Sequence, residues 1–211
     1  MEKWVEIVDG ERAAADVAAE ILRLRLDGVD QRLPLAAAEY ERDIEHVHQL
    51  RVACRRTGAA LAAFRPLAKG QVKPLRKWLQ KVRRAAGPAR DIDVLLQRLW
   101  AEADDRPCHA YIVARLERQR HTVQHALVEV AAEAQHLRRV KSVKHCLKAL
   151  GKHRKKKAAV SFNRYAHDAL RMVSQGMFEF AEVNQPTVKQ LHQLRIASKR
   201  LRYSIEMFHS A

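Results

Sequence analysis

One stretch of eighteen residues occurs twice in this chain, and that duplication restricts the fold more than any other feature. Residues 47–64 read VHQLRVACRRTGAALAAF and residues 191–208 read LHQLRIASKRLRYSIEMF, with His-Gln-Leu-Arg identical and Ala, Arg and Phe recurring in register. The offset is 144, from His48 to His192. A helix-like segment precedes each copy, with Pro34 and Pro186 in or near the connections. A match of this length in matching context marks an internal repeat. The expectation is a helical domain over 11–211, with a first half of about 11–150 and a second of about 151–211, after an N-terminal extension of residues 1–10.

Each copy has the spacing of a helix. At about 100° per residue, Leu50, Cys54, Thr57, Leu61 and Phe64 share a core face. His48, Arg51 and Arg55 lie opposite, with Arg56 beside them. In the second copy Leu194, Ser198, Leu201, Ile205 and Phe208 form the expected core face. His192, Arg195 and Lys199 form the polar stripe, flanked by Arg200 and Arg202.

The remainder reads as helix after helix: about 11–27, from 36 or 43 to 64, then 72–86, 89–103, 108–135, 138–150, 158–182 and 188–209. Asp27-Gly28, Arg65-Pro66, Gly87-Pro88 and Asn184-Gln185-Pro186-Thr187 supply the breaks. No segment alternates with period two. With 7 Gly and 6 Pro in 211 residues, an all-α fold is expected over a sandwich, barrel or doubly wound sheet. The expected class is two pseudo-symmetric helical bundles, the second half truncated, since nothing there matches helices 72–103. Completion by another copy, a homo-oligomer, would follow from that truncation. No apolar run approaches the roughly 18 residues of a membrane span, and Met1–Glu6 has no signal-peptide h-region. Cys54, Cys108 and Cys146 are odd in number and scattered, which fits reduced thiols in a cytoplasmic protein.

Charge narrows the partner. Lys and Arg total 40 against 24 Asp and Glu, a formal net of +16. The excess is uneven: residues 1–50 hold 6 basic and 12 acidic side chains, residues 51–211 hold 34 and 12. Such a field attracts polyanions. Each stripe stacks like charges at i, i+4, at a cost of a few tenths of a kcal/mol per pair, and Glu206 is the main carboxylate near them. A bound polyanion would supply countercharge. An ordinary solvated face explains one such helix more easily than two in the same frame.

The paired His-Gln-Leu-Arg helices resemble the conserved histidine α-helical domain, the CHAD domain. Leu75-Arg76-Lys77-Trp78-Leu79 and Gly87-Pro88-Ala89-Arg90-Asp91-Ile92-Asp93-Val94-Leu95 look like the segment that follows the first motif in that family, and the likeness covers about 11–209. The resemblance implies two pseudo-symmetric helical bundles whose basic residues line a shared groove or pore. It also implies binding of inorganic polyphosphate and association with polyphosphate granules. The family pattern has Arg where Gly58 stands; the second copy keeps it as Arg202.

On the third helix Lys73, Lys77 and Arg84 share a basic face. Arg90 follows the Gly-Pro break, where free helix N–H groups can meet phosphate; a pair with Asp91 or Asp93 is its structural alternative. The Lys152–Lys157 run reads as a solvated connector or a flexible clamp on a polyanion. His121 and His125 stand at i, i+4 without a third ligand, so they read as a surface pair and no metal site is expected. No Gly-rich phosphate loop, HExxH or carboxylate cluster is present. No enzyme activity and no cofactor are expected. The functional expectation is non-catalytic polyphosphate binding by His48, Arg51, Arg55, Arg56, Lys73, Lys77, Arg84, Arg90, His192, Arg195, Lys199, Arg200 and Arg202. Nucleic-acid binding and polyphosphate or triphosphate hydrolysis are the alternatives. Aromatic residues do not interleave with the stripes, which counts against base stacking.

Overall fold

The computed structural model describes residues 4–7, 9–68, 70–102, 106–133, 136–154 and 160–210. Within them the chain is all-helical: α1 (Ala14–Ala38), α2 (Glu45–Ala63), α3 (Lys73–Ala101), α4 (Pro107–Ala132), α5 (His136–Arg154), α6 (Phe162–Ala181) and α7 (Val188–Phe208). The only strand-like pairing among the described residues is a single antiparallel bridge between Ala13 and Ser161.

Two expected breaks do not break their helices. α1 runs through Asp27-Gly28 and Pro34, and α3 runs through Gly87-Pro88. A helical Gly costs ~1 kcal/mol and an interior Pro ~3 kcal/mol. Burial outweighs them: Val29, Leu33 and Ala36 on α1, and Val82, Ala86, Ala89 and Ile92 on α3, are buried. A fully buried Val, Leu or Ile contributes about 1.5–3 kcal/mol. Local propensity is thus overruled by packing. Real ends come where capping chemistry is strong. Ser161 accepts from the Arg164 N–H at the start of α6, and Thr187 with Gln190 forms a complete capping box on α7.

The helices fall into two compact units drawn from interleaved stretches. One comprises Met1–Leu26, Arg56–Lys73 and Lys141–Ala211; the other comprises Asp27–Arg55 and Pro74–Val140. The first has an aromatic centre: Phe64 stacks on Tyr165 at 5.9 Å and meets Phe208 edge-on at 5.8 Å, while Phe162 meets Phe208 at 5.7 Å. The Tyr165 hydroxyl donates to the Ala63 carbonyl at 2.6 Å, and burial pushes its pKa up to about 12. The N-terminal extension packs on this unit. Val5 and Ile7 are buried, and the Ile7 N–H donates to Ser210 Oγ, which donates to the Val5 carbonyl.

The second unit is built around Leu50, Leu75, Leu79, Val82 and Leu127, all buried. A polar cluster lies inside it. Arg120 pairs with Asp93 and donates to Gln124 at 2.8 Å, and Gln124 Nε2 donates to the carbonyls of Ala36 and Ala37 at the end of α1. Burial raises the Asp93 pKa and the Arg120 pair opposes that rise. Sequence periodicity did not single out Arg120, because its partner lies 27 residues away.

Candidate functional site

In the second unit, α2 and α3 place the first basic row. Leu50 and Cys54 bury one face of α2, which leaves His48, Arg51 and Arg55 half-exposed beside α3. Arg51 Nη1 donates to the Arg83 carbonyl at 3.0 Å. Gly87 leaves space for the contact: a Cβ there would stand 3.3 Å from Arg51 Nη1. Arg90 Nη1 reaches Glu45 Oε1 at 3.4 Å.

The cluster is cationic and partly desolvated. Burial lowers the His48 pKa first; Arg90, Arg55 and Arg51 lower it further, and Glu45 opposes them. Burial also lowers the Arg51 pKa, with Arg55 and Arg83 adding to that shift and Asp91 opposing it. His48, Arg51, Arg55 and Arg90, all expected from sequence, are therefore brought together. Arg83 joins them and was not anticipated. Its i, i+4, i+7 spacing with Gly87 and Arg90 is the signal that would have found it. Lys77 and Arg84 occupy the neighbouring exposed face of α3. Lys73, at the start of α3 in the first unit, is also exposed.

In the first unit the second row stands on α7. His192, Arg195, Arg200 and Arg202 are exposed and Lys199 is half-buried. The expected core face of α7 holds only in part. Phe208 is buried, but Ser198 and Ile205 are exposed, and the buried set is Tyr203, Ser204, Glu206, Met207 and Phe208. Periodicity identifies an apolar line but not whether another element covers it.

Arg56 has a different environment. Its Nε is 2.8 Å from Glu206 Oε2, with the Glu206 side chain 4% exposed. Arg202 approaches the other oxygen of Glu206 at 3.9 Å and lies over the Tyr203 ring at 4.8 Å. Arg25, missed by the sequence reading, is buried here; burial and then Arg56 lower its pKa, against Glu206. Arg56 thus has its carboxylate inside the fold.

His121 Nδ1 lies 3.0 Å from the Tyr40 hydroxyl, and no group of three or more metal-ligating side chains occurs among the described residues. A groove of about 890 Å³ lies between α1 and α5, lined by Arg12, Asp16, Glu20, Arg23, Lys148 and Lys152 among others. Of the Lys152–Lys157 run, Lys155–Lys157 lie outside the described residues.

The family model of the CHAD domain matches residues 13–211. The chain belongs to the CHAD domain family. Among solved structures, it is similar to the crystal structure of the CHAD domain from the plant Ricinus communis, with a TM-score of 0.83 and 21% identity. That match covers 100% of this chain and 70% of that one. The chain is also similar to PptA from Streptomyces chartreusis, with a TM-score of 0.55 and 18% identity, over 92% of this chain and 75% of that one. No curated protein matches. At these identities the two structures establish the helical fold of this CHAD domain.

Proposed function

We propose that this CHAD domain binds inorganic polyphosphate without catalysing its turnover, in the cytoplasm and at polyphosphate granules. The observation that supports this most is the cluster of His48, Arg51, Arg55, Arg83 and Arg90, four guanidiniums around one imidazole, with Glu45 and Asp91 nearby and Asp93 acting on Arg90. Desolvation without matching countercharge is costly, and a bound polyanion removes that cost. Polyphosphate carries about one charge per phosphate on a flexible chain, so rows of cations at helical spacing suit it. Arg51 and Arg55 would make charge-assisted bonds to non-bridging oxygens, with Lys77 and Arg84 extending the row. On α7, His192, Arg195, Lys199, Arg200 and Arg202 form the second row. Arg56, held by Glu206, leaves the proposed binding set and acts as an internal counterion.

A titration of long-chain polyphosphate against DNA at matched phosphate concentration tests this reading. Polyphosphate is expected to bind more tightly, with log affinity falling linearly in log salt. Arg51→Ala with Arg55→Ala should weaken it by about tenfold or more. Equal affinity for DNA favours a nucleic-acid-binding protein instead. Phosphate release with Mg²⁺ or Mn²⁺ would refute the non-catalytic reading.

A further inference from the structure

Arg90 is held differently from its neighbours in the first basic row. Arg51 and Arg55 donate to backbone carbonyls, those of Arg83 and Arg51. Arg90 donates to a carboxylate, Glu45 Oε1, in the first turn of α2. A carbonyl is neutral and leaves the charge of its arginine open to a ligand. A carboxylate cancels that charge.

The pair is loose and faces outward. Its 3.4 Å separation exceeds the roughly 2.7–2.9 Å of a tight charge-assisted bond. The Arg90 side chain is 15% exposed and that of Glu45 42%, so the carboxylate lies on the solvent side. The other nearby acids have different ties. Asp93, which the Arg90 charge also reaches, is buried and paired with Arg120, and Asp91 acts on Arg51. Glu45 acts on His48 too, against Arg90. One solvent-facing carboxylate thus serves both the arginine and the imidazole at this end of the row. The second row has a cation at that place: 144 residues on, the counterpart of Glu45 is the exposed Lys189.

We propose that Glu45 is a specificity-determining residue that occupies Arg90 as a built-in stand-in for a phosphate, excluding short phosphate anions from the first row while long chains still bind. This selectivity rests on the polyphosphate reading. A short anion seated at Arg90 must displace Glu45 and has few other contacts with which to do so. A long chain reaches Arg51, Arg55 and the exposed Lys77 and Arg84 whether or not Arg90 is released. Displacement also changes the ion count. The freed Glu45 gathers a cation from solution, which offsets one counterion released by the bound phosphate.

The test uses the full chain in titration calorimetry, with tripolyphosphate and long-chain polyphosphate as probes. Glu45→Gln keeps the shape of the side chain and removes its charge. It is expected to tighten tripolyphosphate by about threefold or more and the long chain by less, and to steepen the tripolyphosphate salt slope by about one. In an Arg90→Gln background the same substitution should bring no gain, because the carboxylate acts through that arginine. A general loss of negative charge would bring the same gain in both backgrounds. Melting curves check that each variant is folded, and the salt slope of Glu45→Gln decides the matter without the double variant. Tripolyphosphate affinity unchanged or weaker in Glu45→Gln, an equal gain for both chain lengths, or a gain that persists in Arg90→Gln overturns the proposal. Long-chain polyphosphate that still binds the parent chain in those cases leaves polyphosphate binding itself intact. No binding of either probe to the parent or to Glu45→Gln overturns both.

Discussion

At the residue scale, His48 shows how environment changes a side chain whose position periodicity already placed. Burial, then Arg90, Arg55 and Arg51, depress its pKa below the ordinary value of about 6.5. The neutral imidazole is favoured in the folded state. Its contribution to stability is present above the unfolded pKa and is lost as pH falls through the folded one. His48→Gln is expected to lose less stability than the parent between about pH 7.5 and pH 5, measured as the difference in urea midpoints. An unchanged difference would remove His48 from the acid sensitivity. A polyanion seated on the same arginines would oppose their effect on His48, so binding should take up protons in that range. Arg56 differs: its place beside the basic row was readable, but its engagement by Glu206, 150 residues away, was not.

At the scale of the element, two glycines separate propensity from packing. Nothing lies within 4 Å of a Cβ built on Gly58, so Gly58→Ala should stabilise α2 by about 0.5–1 kcal/mol. On Gly87 the added Cβ meets Arg51 Nη1 at 3.3 Å. Gly87→Ala is therefore expected to change the melting temperature little and to weaken polyphosphate binding, because the Arg51 guanidinium must shift by a few tenths of an ångström beside the Arg83 carbonyl. Full affinity in that variant would show that Gly87 does not set the position of Arg51. The helical character of α2, α3 and α7 was legible from apolar spacing. The continuity of α1 and α3 was not, because Gly28, Pro34, Gly87 and Pro88 are local stop signals that buried neighbours override.

At the scale of the whole molecule, the compact units are assembled from separated stretches; the second lies within residues 1–150, and the first does not, because it draws on Lys141–Ala211. Removing 151–211 takes Phe162, Tyr165 and Phe208 away from Phe64. Truncating one buried Phe costs about 3–5 kcal/mol, against a total stability of about 5–15 kcal/mol. A 1–150 fragment is expected to lose part of the near-UV circular dichroism and to bind a hydrophobic dye at the exposed remainder of the first unit, while the second unit stays folded. No dye binding by that fragment would show that the first unit's core holds without Phe162, Tyr165 and Phe208.

The sequence by itself determined the all-helical class, the family, and the rows His48/Arg51/Arg55 and His192/Arg195/Lys199. Residue type and a 3.6-residue period are local properties, readable without knowing what each helix meets. Only the tertiary structure decided that Arg83 joins the first row, that Arg56 is held by Glu206, and that the line Leu191–Ser198–Ile205 is exposed while Val47–Cys54–Leu61 is buried. Each of these depends on which distant segment comes to lie alongside, and helices of like pattern differ in that respect when their neighbours differ.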